Sequence, residues 1–498
     1  MMSLVLAQIE TPDIAWSAVL PHLILGVGAL LLLMVWSLVG RHLPDWIPSA
    51  VAIAVATGSA ISAVPLWNRV TDAERGPFGA VAGAVGIDGF SVFLTIVIAA
   101  SAALSCLLAI AYLKREDLLG AEYPVLILLS AAGGVTMATA NDLMVLFIGL
   151  EILSIAMYIL AAFHSRRVQS QEAGMKYFVL GAFSSAFFLY GIALTYGATG
   201  STNLVDIKTY LATNVLIEDG LLLAGFALLL VGLAFKVSAV PFHSWTPDVY
   251  EGAPTPVVAF MASGVKAAGF AALLRIFVTT FGAYADDWQP IIYALAIATL
   301  ILGAVMAVVQ TDVKRMLAYS SISHAGFMLV GVQAASGKGT ASVLFYLATY
   351  SVLVIGTFGV ISVVSGRGDG ATAVDDFKGL GAASPWLAFT FTIFLLAQAG
   401  VPLTTGFFAK FQAISAAVDG HSWTLAVIAM ITAAIAAYLY LRIVMTMWMS
   451  DGEHEPVKVP LTTVVVLGIA LVFTLGFGVW PEPIVDWANE ALPALVRG

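Results

Sequence analysis

Cysteine and charge are what this sequence has least of. A single cysteine, Cys106, stands in an apolar run of a chain of 498 residues. One thiol excludes an intramolecular disulfide and any Cys-cluster metal or Fe–S site. Charged residues make up only 10% of the chain, against about 25% in an average soluble domain. The net charge of -9 is scattered over short segments with no acidic or basic tail, which gives no reason to infer a nucleic-acid partner. The histidines show no metal-ligand spacing; His22, His42, His164, His421 and His454 fall at the ends of apolar segments or between them. The opening MMSLVLAQIETPDIAW has no basic n-region and too short an apolar core for a cleaved signal peptide, so targeting falls to the first membrane segment.

What is abundant is apolar. Hydrophobic residues are 60% of the chain and come in runs of about 20, enough to cross the hydrocarbon core as helix. Such segments lie near 18–40, 47–67, 88–113, 123–139, 141–164, 173–199, 220–240, 255–281, 288–310, 313–334, 340–365, 384–418, 421–450 and 459–481. The expectation is an all-α polytopic membrane protein of about fourteen transmembrane helices. The twelfth segment is too long for one straight crossing, and QAGVPLTTGFFAKF (398–411) puts Gly and Pro inside it. It reads as one discontinuous helix whose break is buried in protein or faces water. Fourteen crossings put both termini on one side. With the termini outside, eleven Lys and Arg fall in inner loops and five in outer loops, the asymmetry the positive-inside rule favours.

Five more basic residues fall within the spans: Lys176, Lys236, Lys266, Arg275 and Lys410. A charge near the bilayer centre costs at least roughly 2.5–3.5 kcal/mol. Lys176 and Arg275 lie within reach of a helix end, where a long side chain snorkels to the interface. Lys236, Lys266 and Lys410 have apolar sequence on both sides or an adjacent break, which points to a function. The acid to match them is Glu151 in NDLMVLFIGLEILSIAMYILAAF (141–163), about ten residues into its helix and therefore near mid-membrane. Paired with Glu151, Lys236 stays charged; separated from it in a dry environment, Lys236 gives up its proton. The plainer reading is a static buried pair that fixes helix register.

Gly232-Leu-Ala-Phe-Lys236 and Gly406-Phe-Phe-Ala-Lys410 share a Gly-x-x-x-Lys spacing, each near a proline, Pro241 and Pro402. Their lysines fall in the seventh and twelfth spans. An odd number of spans per repeat inverts the second copy, as in transporters built from inverted repeats with paired broken helices. The expected organisation is three helices in 1–122, a five-helix repeat in 123–281, its inverted copy in 288–450, and a last helix in 451–498. Span 10 offers Ser320, Ser321, Ser323 and His324 where span 5 has Glu151. His324 titrates near neutrality and suits a proton relay, or else packs among the serines. His243, in the break at 241–256, either links Lys236 to the inner aqueous phase or caps the broken helix ends. These groups together point to proton movement across the membrane.

PFHSWTPDVYEGAPTPVVAFMASGVKAAGF (241–270), LAYSSISHAG (317–326) and GLEILSIAMYIL (149–160) resemble the antiporter-like membrane subunits of respiratory complex I, the proton-pumping NADH:quinone oxidoreductase. The resemblance covers nearly the whole chain. It implies two inverted five-helix bundles with helices 7 and 12 discontinuous, Glu151 as modulating acid, Lys236 as first proton carrier, Lys266 as connector and Lys410 as outlet. It also implies that NADH, flavin, Fe–S clusters and quinone belong to other parts of the holoenzyme, with no cofactor in this subunit. The implied partners are sibling antiporter-like subunits and membrane lipids; the implied place is a bacterial inner membrane. One departure is VPLTTGFFAKF (401–411), where the family pattern has a second proline and a smaller residue after Val401. Two other readings are a subunit of a multi-subunit Na⁺/H⁺ antiporter, which shares this fold, and a structural spacer.

Overall fold

Each of the fourteen apolar segments folds as helix in the computed structural model, which describes residues 14–214, 219–452 and 455–497. Most of the stretch read for a signal peptide, and His454, lie outside the described residues. The helices are α1 (Trp16–Val39), α2 (Ile47–Val70), α3 (Gly89–Glu116), α4 (Glu122–Thr139), α5 (Leu143–Ala161), α6 (Val168–Thr199) and a short α7 (Leu204–Thr213). Then come α8 (Gly220–Val237), a short α9 (Trp245–Gly252), α10 (Thr255–Thr280), α11 (Ala285–Val308), α12 (Val313–Gln333) and α13 (Gly337–Val364). The chain closes with α14 (Pro385–Ala399), α15 (Thr405–Asp419), α16 (Trp423–Met449), α17 (Leu461–Val479) and a short α18 (Glu482–Glu490). Among the described residues, 12 helices are long and apolar enough to cross a membrane. The more polar α12 and the broken pair α14–α15 bring the crossings to the expected fourteen. A hairpin of β1 (Phe78–Ala80) and β2 (Val85–Ile87) joins α2 to α3.

Small residues let the helix backbones approach, as is common where lipid supplies no hydrophobic drive between helices. A Cβ on Gly133 of α4 would lie 2.4 Å from the Leu153 nitrogen of α5. A Cβ on Gly303 of α11 would lie 2.6 Å from the Ser323 nitrogen of α12. These are the first two helices of each expected repeat, and a second likeness goes with the first. Asp142 caps α5, accepts from Thr202 Oγ1 at 2.7 Å and bridges to Asn203. Asp312 caps α12, accepts from Thr372 Oγ1 and bridges to Ala373. The two caps lie at opposite ends of the bundle. The residues before α5 neighbour the carboxyl end of α10, where Arg275 reaches Ala138 O at 3.0 Å. The start of α12 neighbours the amino end of α10, where Lys314 reaches Ala253 O at 2.8 Å. One capping device, used at opposite ends, is what an inverted repeat requires.

Buried ionic knots close both ends. At the first, Arg275 is fully buried, against the expectation that it snorkels to the interface: Nη2 binds Asp88 Oδ1 at 3.0 Å. Asp88 Oδ2 also accepts from the Ala494 nitrogen at 2.7 Å, tying down the carboxyl-terminal segment. The pair forms because Asp88, at the cap of α3, brings a carboxylate to a cation that sequence proximity left without one. Lys176 does sit at a helix end, partly exposed, paired with Glu172 at 2.7 Å and Asp248 at 2.6 Å.

At the other end, buried Asp369 gathers Lys314 and Arg167, both at 3.4 Å, and Arg115 at 3.6 Å. It also accepts from the Thr255 nitrogen at 3.2 Å, capping α10. Burial pushes the Asp369 carboxyl up, but Lys314, Arg167 and Arg115 outweigh it and hold the pKa below the ordinary carboxylate range. A carboxylate depressed in the folded state contributes stability above its unfolded pKa of about 3.9 and loses it as pH falls through the folded value. Asp369→Ala leaves Lys314 buried without its counter-charge, a loss of about 3–5 kcal/mol. The expected outcome is a lower unfolding midpoint in detergent at pH 7, with a smaller further drop than wild type on acidification below pH ~4.

Candidate functional site

The three mid-membrane lysines sit where helices stop or change pitch. Lys236 occupies the last turn of α8, and Ser238 beyond it is left-handed at φ 66°. The chain turns, and α9 folds back over the break: Trp245 Nε1 donates to Phe235 O at 3.1 Å and stacks on Tyr177. Lys236 Nζ donates to Ser154 Oγ at 2.8 Å. Lys266 follows a wider, π-type turn at Met261–Val265 within α10, and its Nζ donates to Ser321 O at 2.7 Å and Ser321 Oγ at 2.6 Å. π-type turns are frequent at functional sites. Lys410 lies in α15 and donates to Ala399 O at 2.9 Å, at the end of α14. Gly400, at φ 91°, makes the break there: a Cβ on it would lie 3.0 Å from Lys410 Cδ. The second break thus supplies an orphan carbonyl and the negative end of a helix dipole to the ammonium.

Polar groups run from Lys266 to Lys410, and Lys236 packs against the helix that carries Lys266. α10 packs on α8 so closely that a Cβ on Gly269 would lie 3.4 Å from Lys236 Cγ. Beyond Lys266 and Ser321 comes His324, buried, with Tyr346 OH 2.6 Å from Nδ1 and Tyr440 OH 3.2 Å from Nε2. Tyr350 lies against the His324 ring at 4.6 Å and 5.8 Å from Lys266 Nζ. Tyr440 OH is also 2.5 Å from Ser320 Oγ, which donates to Gln398 Oε1 at 3.3 Å. Gln398 stands next to Ala399, whose carbonyl holds Lys410. The order is therefore Lys236, Lys266, His324, Tyr440, Gln398, Lys410.

Glu151 stands beside the head of this line. Its Oε1 accepts from Ser185 Oγ, while Lys236 is held by Ser154, one turn along the same helix. No ion pair joins Glu151 to Lys236 among the described residues; a small cavity lined by Ser154, Tyr158, Ser184, Ser185 and Lys236 adjoins them. Glu151 is half-buried, on a face where Ile148, Ile152 and Ile155 are exposed. His243 lies in the turn after α8, part-buried, with no hydrogen bond to Lys236 among the described residues.

Sequence reasoning missed Tyr346, Tyr350, Tyr440 and Gln398. A tyrosine in an apolar helix reads as packing, and only Gln398, two residues before Gly400, carried a signal. Ser154 was also missed, although it stands three residues after Glu151 on the same helix face. Of the span 10 residues, Ser320, Ser321 and His324 join the line, whereas Ser323 packs on Gly303. Among the described residues no group of three or more His, Cys, Asp and Glu is placed to hold a metal.

Residues 140–436 match the family described as NADH:quinone oxidoreductase/Mrp antiporter, TM. A relative from Solibacter usitatus, named NADH-quinone oxidoreductase subunit N 1, is 41% identical over 477 residues, covering 95% of this chain and 96% of that protein. A chain of respiratory complex I from Thermus thermophilus superposes with a TM-score of 0.78 at 32% identity, over 96% of this chain and 100% of that one. A chain of the Mrp complex from Dietzia sp. has a TM-score of 0.84 at 21% identity, over 97% of this chain and 98% of that one, and shows the shared fold alone.

The break at Gly400 and the start of α15 leave no room for side chains. A Cβ on Gly406 would lie 1.8 Å from Ala397 O. Gly406→Ala is expected to cost about 1–3 kcal/mol through overpacking, read as a lower unfolding midpoint. Gly476→Ala, with no atom within 4 Å of its Cβ, is the control and leaves the midpoint unchanged.

Proposed function

Because this chain belongs to the NADH:quinone oxidoreductase/Mrp antiporter family of membrane proteins, we propose that it is a proton-translocating membrane subunit of a bacterial NADH:quinone oxidoreductase. The observation that carries the reading is the buried line from Lys236 to Lys410. Lysine ammonium, imidazole, phenol and serine hydroxyl can each hold or pass a proton, and the Gln398 amide orients Ser320 at the second break. Quinone reduction takes place in other subunits of the complex, and this chain holds no redox cofactor. It is a multi-pass inner-membrane protein whose partners are the other membrane subunits. Glu151 supports that partnership, since a half-buried carboxylate at mid-membrane on an apolar face calls for protein cover.

One turnover proceeds along the line. Lys236 loads from the inner phase through the break after α8, near His243. When Glu151 and Lys236 draw apart, the dry surroundings of Lys236 favour release of its proton. Lys266 receives it, and Ser321 O and Oγ hold the new ammonium. His324 takes a proton on one ring nitrogen and yields one from the other. Tyr440 and Ser320 carry it past the imidazole by donating one hydrogen bond while accepting another. Lys410 collects it at the second break, where Ala399 O stabilises the charged form until release outward or to the next subunit. The repeats proposed for this machinery are 123–281 and 288–450, with three helices in 1–122 and one in 451–498. Both termini are assigned to the periplasmic side from the distribution of Lys and Arg.

The test uses the assembled complex in vesicles, comparing wild type with Lys236→Ala and Glu151→Ala. The expected outcome is that NADH-driven proton uptake and quinone reduction fall together while the complex stays assembled, and that neither wild-type rate depends on Na⁺. Wild-type rates in both variants would make the charges structural and favour a spacer. A strict Na⁺ requirement would favour an antiporter.

A further inference from the structure

A cavity of about 290 Å³ lies away from the proton line, where the segment between α1 and α2 meets the end of α3. Ser49, in the first turn of α2, lines it with only 5% of its surface exposed. Its hydroxyl has no hydrogen-bond partner among the described residues. The hydroxyl is not sealed in protein but opens onto the cavity. Asp45 and Lys114 line the same cavity. Neither side chain makes an ion pair or hydrogen bond among the described residues. One cavity therefore holds an acceptor-only carboxylate, a donor-only ammonium and a hydroxyl that serves as either.

The surroundings place it at a membrane surface. Trp46 on its rim is 59% exposed at the start of a membrane helix, the depth at which tryptophans mark the lipid–water boundary. Ile110 and Leu119 supply apolar walls. The first turn of α2 adds the positive end of the helix dipole, which suits an anion; Pro48 has no N–H to offer there and the Ile47 N–H is taken by Pro44 O at 3.1 Å.

We propose that this cavity binds the headgroup of a phospholipid bearing a primary amine. Lys114 and the Ser49 hydroxyl hold the phosphate at the positive end of the α2 dipole, Asp45 takes the ammonium, and Ile110 and Leu119 receive the first methylenes of the acyl chain. A trimethylated choline has no N–H to give Asp45. A headgroup with a phosphate but no amine leaves Asp45 as an unpaired negative charge beside it.

The test is native mass spectrometry of the complete complex, stripped of loosely held lipid in detergent and then offered vesicles of phosphatidylethanolamine, phosphatidylcholine or phosphatidylglycerol, or inorganic phosphate alone. Wild type is compared with Ser49→Val and Lys114→Gln. Lys114 is exposed, so Lys114→Gln assembles and carries the test even if Ser49→Val does not. The expected result is one phosphatidylethanolamine that wild type retains about tenfold more tightly than either variant, the size of one hydrogen bond to a charged group, and that the other two lipids do not replace. Equal retention by all three proteins overturns the proposal. So does equal retention of the choline or glycerol lipid, or displacement of the lipid by inorganic phosphate, which would make this a free-anion site.

Discussion

A charged amine in the interior of a membrane must be held by hydrogen bonds, and an intact helix has no backbone group to spare. The rest of this structure follows from that constraint. Breaking α14 from α15 frees Ala399 O for Lys410. The wide turn in α10 precedes Lys266, whose ammonium takes both the carbonyl and the hydroxyl of Ser321. At the end of α8, Ser154 receives Lys236, and Trp245 folds back to occupy Phe235 O. Each solution is slightly different, and each leaves the lysine held by neutral groups. A neutral cage can hold an ammonium without trapping it as a carboxylate would, which suits a proton carrier better than a fixed ion pair.

The static charges are treated in the opposite way. Arg275 and Asp88 are locked together at one end of the bundle; Asp369 collects Lys314, Arg167 and Arg115 at the other. Both knots sit at the ends of α10 and cross long stretches of sequence: the first joins the first helices, the first half and the carboxyl-terminal segment, the second the first helices and both halves. Pairs of this kind resist separation because removing one partner strands the other. The bundle is thus pinned at its ends and held by neutral, exchangeable contacts through its middle.

Much of this was legible in the sequence, for a physical reason. In a chain this apolar, any Lys, Glu, Pro or Gly within a run stands out, so the fourteen crossings, the two breaks and Glu151, Lys236, Lys266 and Lys410 could be marked before any geometry was known. The role of Arg275 was misread because its partner Asp88 is 187 residues away, and nothing local announces a pair made by folding. Tyr346, Tyr350 and Tyr440 were invisible for a different reason: a phenol amid aliphatic residues carries no charge to betray it. Their importance rests on what lies opposite them, which only packing decides. The inverted repeat was half legible, from the two Gly-x-x-x-Lys segments; the matching caps at Asp142 and Asp312 needed the structure.

On the proposed path protons move through both halves of the chain, and its narrowest point is the hydroxyl between His324 and Ser320. Tyr440→Phe deletes that single oxygen and leaves the ring in place. The measurement is NADH-driven proton uptake by vesicles carrying the assembled variant complex. The account predicts uptake lower by roughly tenfold or more, in the range expected for losing one proton-transfer group. Uptake at the wild-type rate would contradict it, and would mean that protons cross between the halves by another route or not at all.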